Sequence, residues 1–224
     1  DQEGRIIYFE GIDEDITLRK KMEEERLQSM ARLRKSLGGT VQAISMAVEI
    51  KDPYTSGHQK RTADLARSIA GEMGLSPERA DFVRMAATIH DIGKIAIPAE
   101  ILSKPTTLTE IEYSLIKTHA QQGYDILKDI EFPWPVAEVI LQHHERLDGS
   151  GYPQGLRGEA IILEARILAV ADVVEAIATH RPYRPARGIE HALEEIRKNR
   201  GILYDAEVVD ACLRLFLEKN YVMV

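Results

Sequence analysis

From Thr40 to its end, the chain repeats one pattern: apolar residues recur at helical spacing in segment after segment. Leu65, Ile69 and Met73 stand at i, i+4 and i+8, which places them on one helix face. Ser76-Pro77 has the form of a helix start, with serine as N-cap and proline in the first turn. Thr109 and Glu112 have capping-box spacing ahead of "YSLIKTHAQQGYDIL". "VAEVILQHH", "ILEARILAVADVVEAIA", "IEHALEEIRK" and "AEVVDACLRLFLEKN" complete the set. A chain that can bury only helix faces folds as an all-α helical bundle, here over residues 40–224.

The start differs. Residues 5–17, "RIIYFEGIDEDIT", are rich in β-branched and aromatic residues and read as a single strand, which has nothing to pair with in this chain. It is expected to be the remnant of a domain truncated here, over residues 1–17. Residues 18–39 read as a charged linker helix in which Met22, Leu27, Met30, Leu33 and Leu37 form a broken apolar stripe. Two readings stay open for it, a coiled-coil seam and a solvated helix. Gly38-Gly39 is expected to loosen or end it.

The net charge of −7 does not suit a broad DNA-binding surface. No apolar run is long enough to span a bilayer. The lone Cys212 excludes an intrachain disulfide and suits a reducing compartment, so a cytoplasmic location is expected.

Several helices deliver a histidine or aspartate to their apolar side. His90 continues the face of Val83 and Ala87, and Asp91 follows it. His119 falls four residues after Leu115, His143 shares a face with Val136 and Ile140, and Asp172 shares one with Leu168. Buried imidazoles and carboxylates are costly unless paired or bound to metal. Together, His58, His90, Asp91, His119, His143, His144 and Asp172 are too many for separate structural roles, and a shared metal centre satisfies them all. Nitrogen and oxygen donors without thiolate suit Fe, Mn or Zn. Seven donors exceed what one tetrahedral ion needs, so at least two divalent ions are expected, with Asp91 as the bridging carboxylate. Such a pair activates water at neutral pH and stabilises phosphoryl charge, which points to phosphate-ester hydrolysis. Lys94, three residues after Asp91, is placed to neutralise a phosphate oxygen. "HRPYRPAR" adds Arg181, Arg184 and Arg187 around Tyr183.

"DPYTSGHQKR", "HDIGKI", "HHERLDGSGYP" and "ADVVEA…RPYRP" together resemble the HD-GYP phosphodiesterases, a branch of the HD superfamily, over about residues 40–220. The resemblance implies hydrolysis of cyclic di-GMP to pGpG and/or GMP; some members act on a cyclic GMP–AMP dinucleotide. It makes the seven residues metal ligands, with Fe or Mn as the expected metals. Lys94 would touch the scissile phosphate, and Tyr152, Arg181 and Arg184 the substrate. Glu145 and Asp148 become supporting or turn-forming residues. The loop around Tyr152 is linked in this family to GGDEF-type cyclase partners.

Two departures stand out. Members with three metals carry Glu four residues before the first histidine, where this chain has Tyr54, with Asp52 and Glu49 nearby; two metals are therefore expected. The family's Asp-Ala-Leu-Thr-Ser-Asp stretch reads "EAIATH" here, with Glu175 and His180. "GRIIYFEGIDEDITLRKKMEEE" resembles the last strand and exit helix of a PAS domain, which implies an upstream sensor and a homodimer along the linker helix. Against the phosphodiesterase stand a catalytically silent nucleotide- or cyclase-binding module and a generic mononucleotide phosphohydrolase. The intact ligand set argues against the first, and the GSGYP loop with the RPYR arginines against the second.

Overall fold

The computed structural model describes residues 15–52, 57–179 and 188–223, except for the Arg34 side chain. Among these described residues, 69% are helical and there is no sheet. Ten helices follow one another: α1 (Thr17–Lys51), α2 (His58–Glu72), α3 (Pro77–Thr88), α4 (Ala99–Leu102), α5 (Glu110–Lys117), α6 (His119–Leu127), α7 (Val136–Gln142), α8 (Leu163–Ala178), α9 (Ile189–Lys198) and α10 (Ala206–Leu217). A 3₁₀ turn, Ile92–Ala96, joins α3 to α4.

The chain divides into two compact units, residues 1–39 and 40–224. In the first, Met22, Leu27, Met30, Leu33 and Leu37 are all exposed. The strand expected over residues 5–17 lies mostly outside the described residues; its last residue, Thr17, is helical and opens α1. Of the two outcomes expected at Gly38-Gly39, an end to the helix is not found, because α1 includes both glycines and stops only at Lys51. A glycine inside a helix costs about 1 kcal/mol, which helical hydrogen bonding on either side tolerates.

In the second unit, α2 packs against α3 and α8, and α8 against α9. Leu65, Ala66, Ile69 and Ala70 of α2 are fully buried, as are Ile167, Leu168, Val170, Ala171 and Val174 of α8. Each large aliphatic side chain there contributes about 1.5–3 kcal/mol of transfer free energy. The alanines between them let the helix axes approach. The capping signals act as read: Ser76 Oγ accepts the Arg79 N–H at 3.3 Å, and Thr109 and Glu112 form the full capping box.

One helix expected from the sequence is two. The segment after Thr109 breaks at Thr118 into α5 and α6, so His119 is the first residue of α6. Leu115, taken above as marking its buried face, is itself exposed. The break, and not helical periodicity, turns His119 inward. Beside it, the 3₁₀ turn packs backbone to backbone on α6: a Cβ on Gly93 would lie 1.9 Å from the His119 carbonyl oxygen. Only glycine fits there, and the contact fixes His90 and Asp91 relative to His119.

A candidate metal centre

Three kinds of position deliver the donors. His58 opens α2, and Asp172 sits on the inner face of α8. His90 and Asp91 follow the end of α3, and His143 and His144 follow the end of α7. His58, His90, Asp91, His119, His143 and Asp172 are all buried. Their donor atoms gather into three overlapping groups: His58, His90 and Asp172; His90, Asp91 and His143; and His119, His143 and His144.

Asp91 spans the cluster. Its Oδ2 lies 3.6 Å from His90 Nε2 and 4.0 Å from His58 Nε2, while Oδ1 lies 3.6 Å from His119 Nε2. Asp172 Oδ1 is 3.3 Å from His58 Nε2 and 3.8 Å from His90 Nε2. Donor atoms sharing one ion at ~2.1 Å bond lengths lie roughly 3–3.5 Å apart, so this spacing suits shared cations.

The imidazoles are oriented from behind. The Nδ1 atoms of His90, His119 and His143 lie 2.7, 2.7 and 2.5 Å from the carbonyl oxygens of Ala87, Ile116 and Ile140. A carbonyl only accepts, so each Nδ1 carries the hydrogen and each Nε2 faces inward; in the neutral ring that nitrogen presents a bare lone pair. His119 Nε2 and His143 Nε2 then face each other at 3.3 Å. Two lone pairs at that distance repel unless a cation lies between them, which is the fit expected of a metal site. Burial, assisted by its histidine neighbours, pushes His143 down to about 3, and burial also lowers His119 and His144. These three stay neutral and ready to ligate.

His58 differs. Its Nδ1 is hydrogen-bonded to Glu175 Oε2, and Glu175 is in turn held by Arg61, with Nε at 2.9 Å from Oε1. Burial works to lower His58, but the hydrogen bonds to Asp172 and Glu175 outweigh it and raise it to about 9. Burial likewise opposes the Asp91 and Asp172 carboxylates. Lys94 and the imidazoles outweigh it for Asp91, and His58 does so for Asp172, holding both well below the usual range.

Lys94 Nζ sits 2.8 Å from Asp91 and 3.2 Å from Asp52. Tyr152 lies over His144, ring centroids 4.7 Å apart. Its loop is fixed by Glu145, a buried carboxylate that accepts the N–H groups of Gln154, Gly155 and Leu156 at 2.7–3.2 Å. Gly151 is required where the loop folds back: a Cβ there would lie 2.4 Å from Arg146 N. Asp148 accepts from Ser150 in an exposed turn. Arg181, Arg184, Arg187 and Tyr183, as well as His180 and Tyr54, lie outside the described residues.

Glu175 as partner of His58, and Arg61 behind it, were not read from the sequence in those roles. A signal existed: Asp172 and Glu175 stand three apart, on one helical face of α8. Nothing local links Arg61 to a residue 114 positions away.

The HD domain family model matches residues 42–208. The chain is 44% identical over 195 residues to the cyclic di-GMP phosphodiesterase response regulator RpfG of Xanthomonas campestris pv. campestris, covering 86% of this chain and 52% of that protein. A cyclic di-GMP phosphodiesterase of Thermotoga maritima is 42% identical over 177 residues, covering 78% of this chain and 48% of its own length. The chain thus spans about half the length of these curated relatives. Among solved structures, Bd1817, a HDG"Y"P protein from Bdellovibrio bacteriovorus, superimposes with a TM-score of 0.59 at 19% identity, covering 71% of this chain and 51% of that one. At that identity the likeness concerns the fold.

Proposed function

This chain belongs to the HD domain family, and from that premise we propose that it is a metal-dependent phosphodiesterase of the HD-GYP type that hydrolyses cyclic di-GMP to pGpG and/or GMP. One observation carries the reading: seven nitrogen and oxygen donors from five separate chain segments converge in one buried cluster, with Asp91 between its two ends. Two relatives bearing that activity in their names add support.

In this reading His58, His90 and Asp172 would hold one divalent ion and His119, His143 and His144 a second, with Asp91 serving both groups; Fe or Mn would suit the donor set. When bound, such ions lower the pKa of water toward neutrality and neutralise charge on phosphoryl oxygens. The chain's own groups do the rest. Asp91 keeps both ends of the cluster in register. Lys94, anchored by Asp91 and Asp52, offers its ammonium to a non-bridging oxygen of the scissile phosphate. Tyr152 closes the His144 side of the site, and Arg181 and Arg184 take up further substrate charge. Water adds across one phosphate ester bond of the cyclic dinucleotide, opening the ring; a second addition releases mononucleotides.

Beyond the site, a PAS-like sensor upstream, a homodimer seam along α1, a GGDEF cyclase docked at the Tyr152 loop and a cytoplasmic setting belong to the same proposal. No helix among the described residues is long and apolar enough to cross a membrane.

The test is hydrolysis by anaerobically purified protein loaded with Fe(II) or Mn(II). Cyclic di-GMP and the cyclic GMP–AMP dinucleotide are offered in parallel, with Asp91→Ala as control. Metal-dependent pGpG or GMP that vanishes in the variant is expected. Bound metal without turnover of either substrate overturns the reading in favour of a silent binding module.

A further inference from the structure

Next to the metal cluster lies a cavity of about 520 Å³, within the size range of small-molecule sites. Lys94 and Asp52 form its end nearest the cluster. Its other walls come from α4, the following loop and α5, and include Leu102, Leu108, Thr109, Tyr113 and Ile116. These walls are mostly apolar, with threonine hydroxyls and the charged Lys104 and Glu110 among them, a mixture that suits a planar heterocycle with polar edges.

Helix α5 has an unusual status. None of its residues is buried in the core. It is held by its capping box and by Lys104, whose Nζ lies 2.7 Å from Glu112 Oε2. A helix fixed at its N-terminus by polar bonds, with Tyr113 half exposed at a cavity, is built as a wall and not as core. An aromatic path also links it to the cluster. Tyr152 lies over His144, and the Lys117 ammonium stands 5.3 Å from the Tyr152 ring centroid and 4.7 Å from that of Tyr113.

We propose that this cavity is a nucleobase subsite: one purine of the cyclic dinucleotide enters it and stacks on Tyr113, while Lys117, between the two tyrosines, pairs with the phosphate that is not being cleaved. The inference rests on the cyclic dinucleotide reading. Two phosphates and two bases are joined in one ring, so a phosphate at Lys94 brings a flanking base to the cavity mouth. Stacking is tolerant of base identity, so the subsite takes either purine.

The experiment uses the full chain, metal-loaded. Affinity for radiolabelled cyclic di-GMP is measured by equilibrium dialysis with chromatographic control of its integrity. KM and kcat are measured for cyclic di-GMP and for bis(p-nitrophenyl) phosphate, which carries no purine. Tyr113→Ala is expected to weaken cyclic di-GMP binding and raise its KM roughly 5- to 100-fold, the range for loss of one stacked base. The ratio of kcat/KM for cyclic di-GMP to that for the small diester should fall accordingly. Tyr113→Phe should recover most of the affinity. Lys117→Gln should weaken binding and flatten its dependence on salt. Ile111→Ala, on the exposed side of α5, is the control for helix integrity. A hydrolysing protein whose affinity and KM survive Tyr113→Ala overturns the subsite and leaves the phosphodiesterase reading intact. A protein that binds cyclic di-GMP through Tyr113 yet never cleaves it overturns the reading and keeps the subsite. Absence of any binding overturns both.

Discussion

The two ends of the donor cluster are anchored in different ways. At one end, His119 and His143 lean on backbone carbonyls, which accept one hydrogen bond and carry no net charge. At the other, His90 also leans on a carbonyl, but His58 leans on Glu175, a carboxylate backed by Arg61, and faces Asp172. Burial lowers both kinds of imidazole; Asp91 opposes it at His119 without reversing it, whereas Asp172 and Glu175 together reverse it at His58. Without metal, the carbonyl-anchored end is therefore neutral and the carboxylate-anchored end holds a proton. A cation bound at the first end would meet imidazoles already neutral, whereas one bound at the second would have to expel the His58 proton.

Removing the group common to both ends should have the largest effect. Asp91→Ala is expected to lower metal content at both ends and to reduce phosphodiesterase turnover by more than about 100-fold, beyond the range for an outer partner. Elemental analysis beside the assay checks this; one ion retained at full occupancy would show that the ends do not share Asp91.

Glu175→Gln separates the ends. Affinity for one of two ions should weaken about 10- to 100-fold, the usual effect of losing an outer-sphere carboxylate, while the other ion stays. Equal weakening of both in a competitive chelator titration would erase the distinction.

Acidity gives a third test, on metal-free protein. His58 is raised from 6.5 to about 9, so its contribution to stability is complete below pH 6.5 and lost as pH rises through about 9. His143 is lowered to about 3, so the unfolded chain takes up a proton below pH 6.5 that the folded one refuses, and stability falls as pH drops from there. Urea denaturation is expected to show a maximum near pH 6.5. A curve flat between pH 6.5 and 9 would contradict the charged His58. Loading with metal should remove the alkaline slope, because the proton is already gone.

The smallest effect is expected away from both ends. Ser76→Ala removes the N-cap of α3, at the far end of the helix that leads to His90, and should cost about 1 kcal/mol in denaturation. Metal content should not change; if it does, α3 transmits strain into the site.

Much of this was legible along the chain, because helix formation is local. Periodic apolar faces, the Ser76 cap and the Thr109–Glu112 box depend on residues within a turn or two, and the histidines and aspartates set among those apolar segments pointed to a shared cluster. Where periodicity was extrapolated too far it misled: a break at Thr118 splits one expected helix, and two glycines fail to end another.

What the sequence by itself determined was the inventory: an all-α chain, the inward donors, and an Asp91 adjacent to His90. Tertiary structure alone decided how those donors divide. Whether an imidazole rests on a carbonyl or on a carboxylate brought from 117 residues away is a matter of packing between α2 and α8, and it sets the charge of His58. The meeting of Gly93 with the His119 backbone is likewise decided by the fold; no local signal specifies it, because it is a contact between two separate elements.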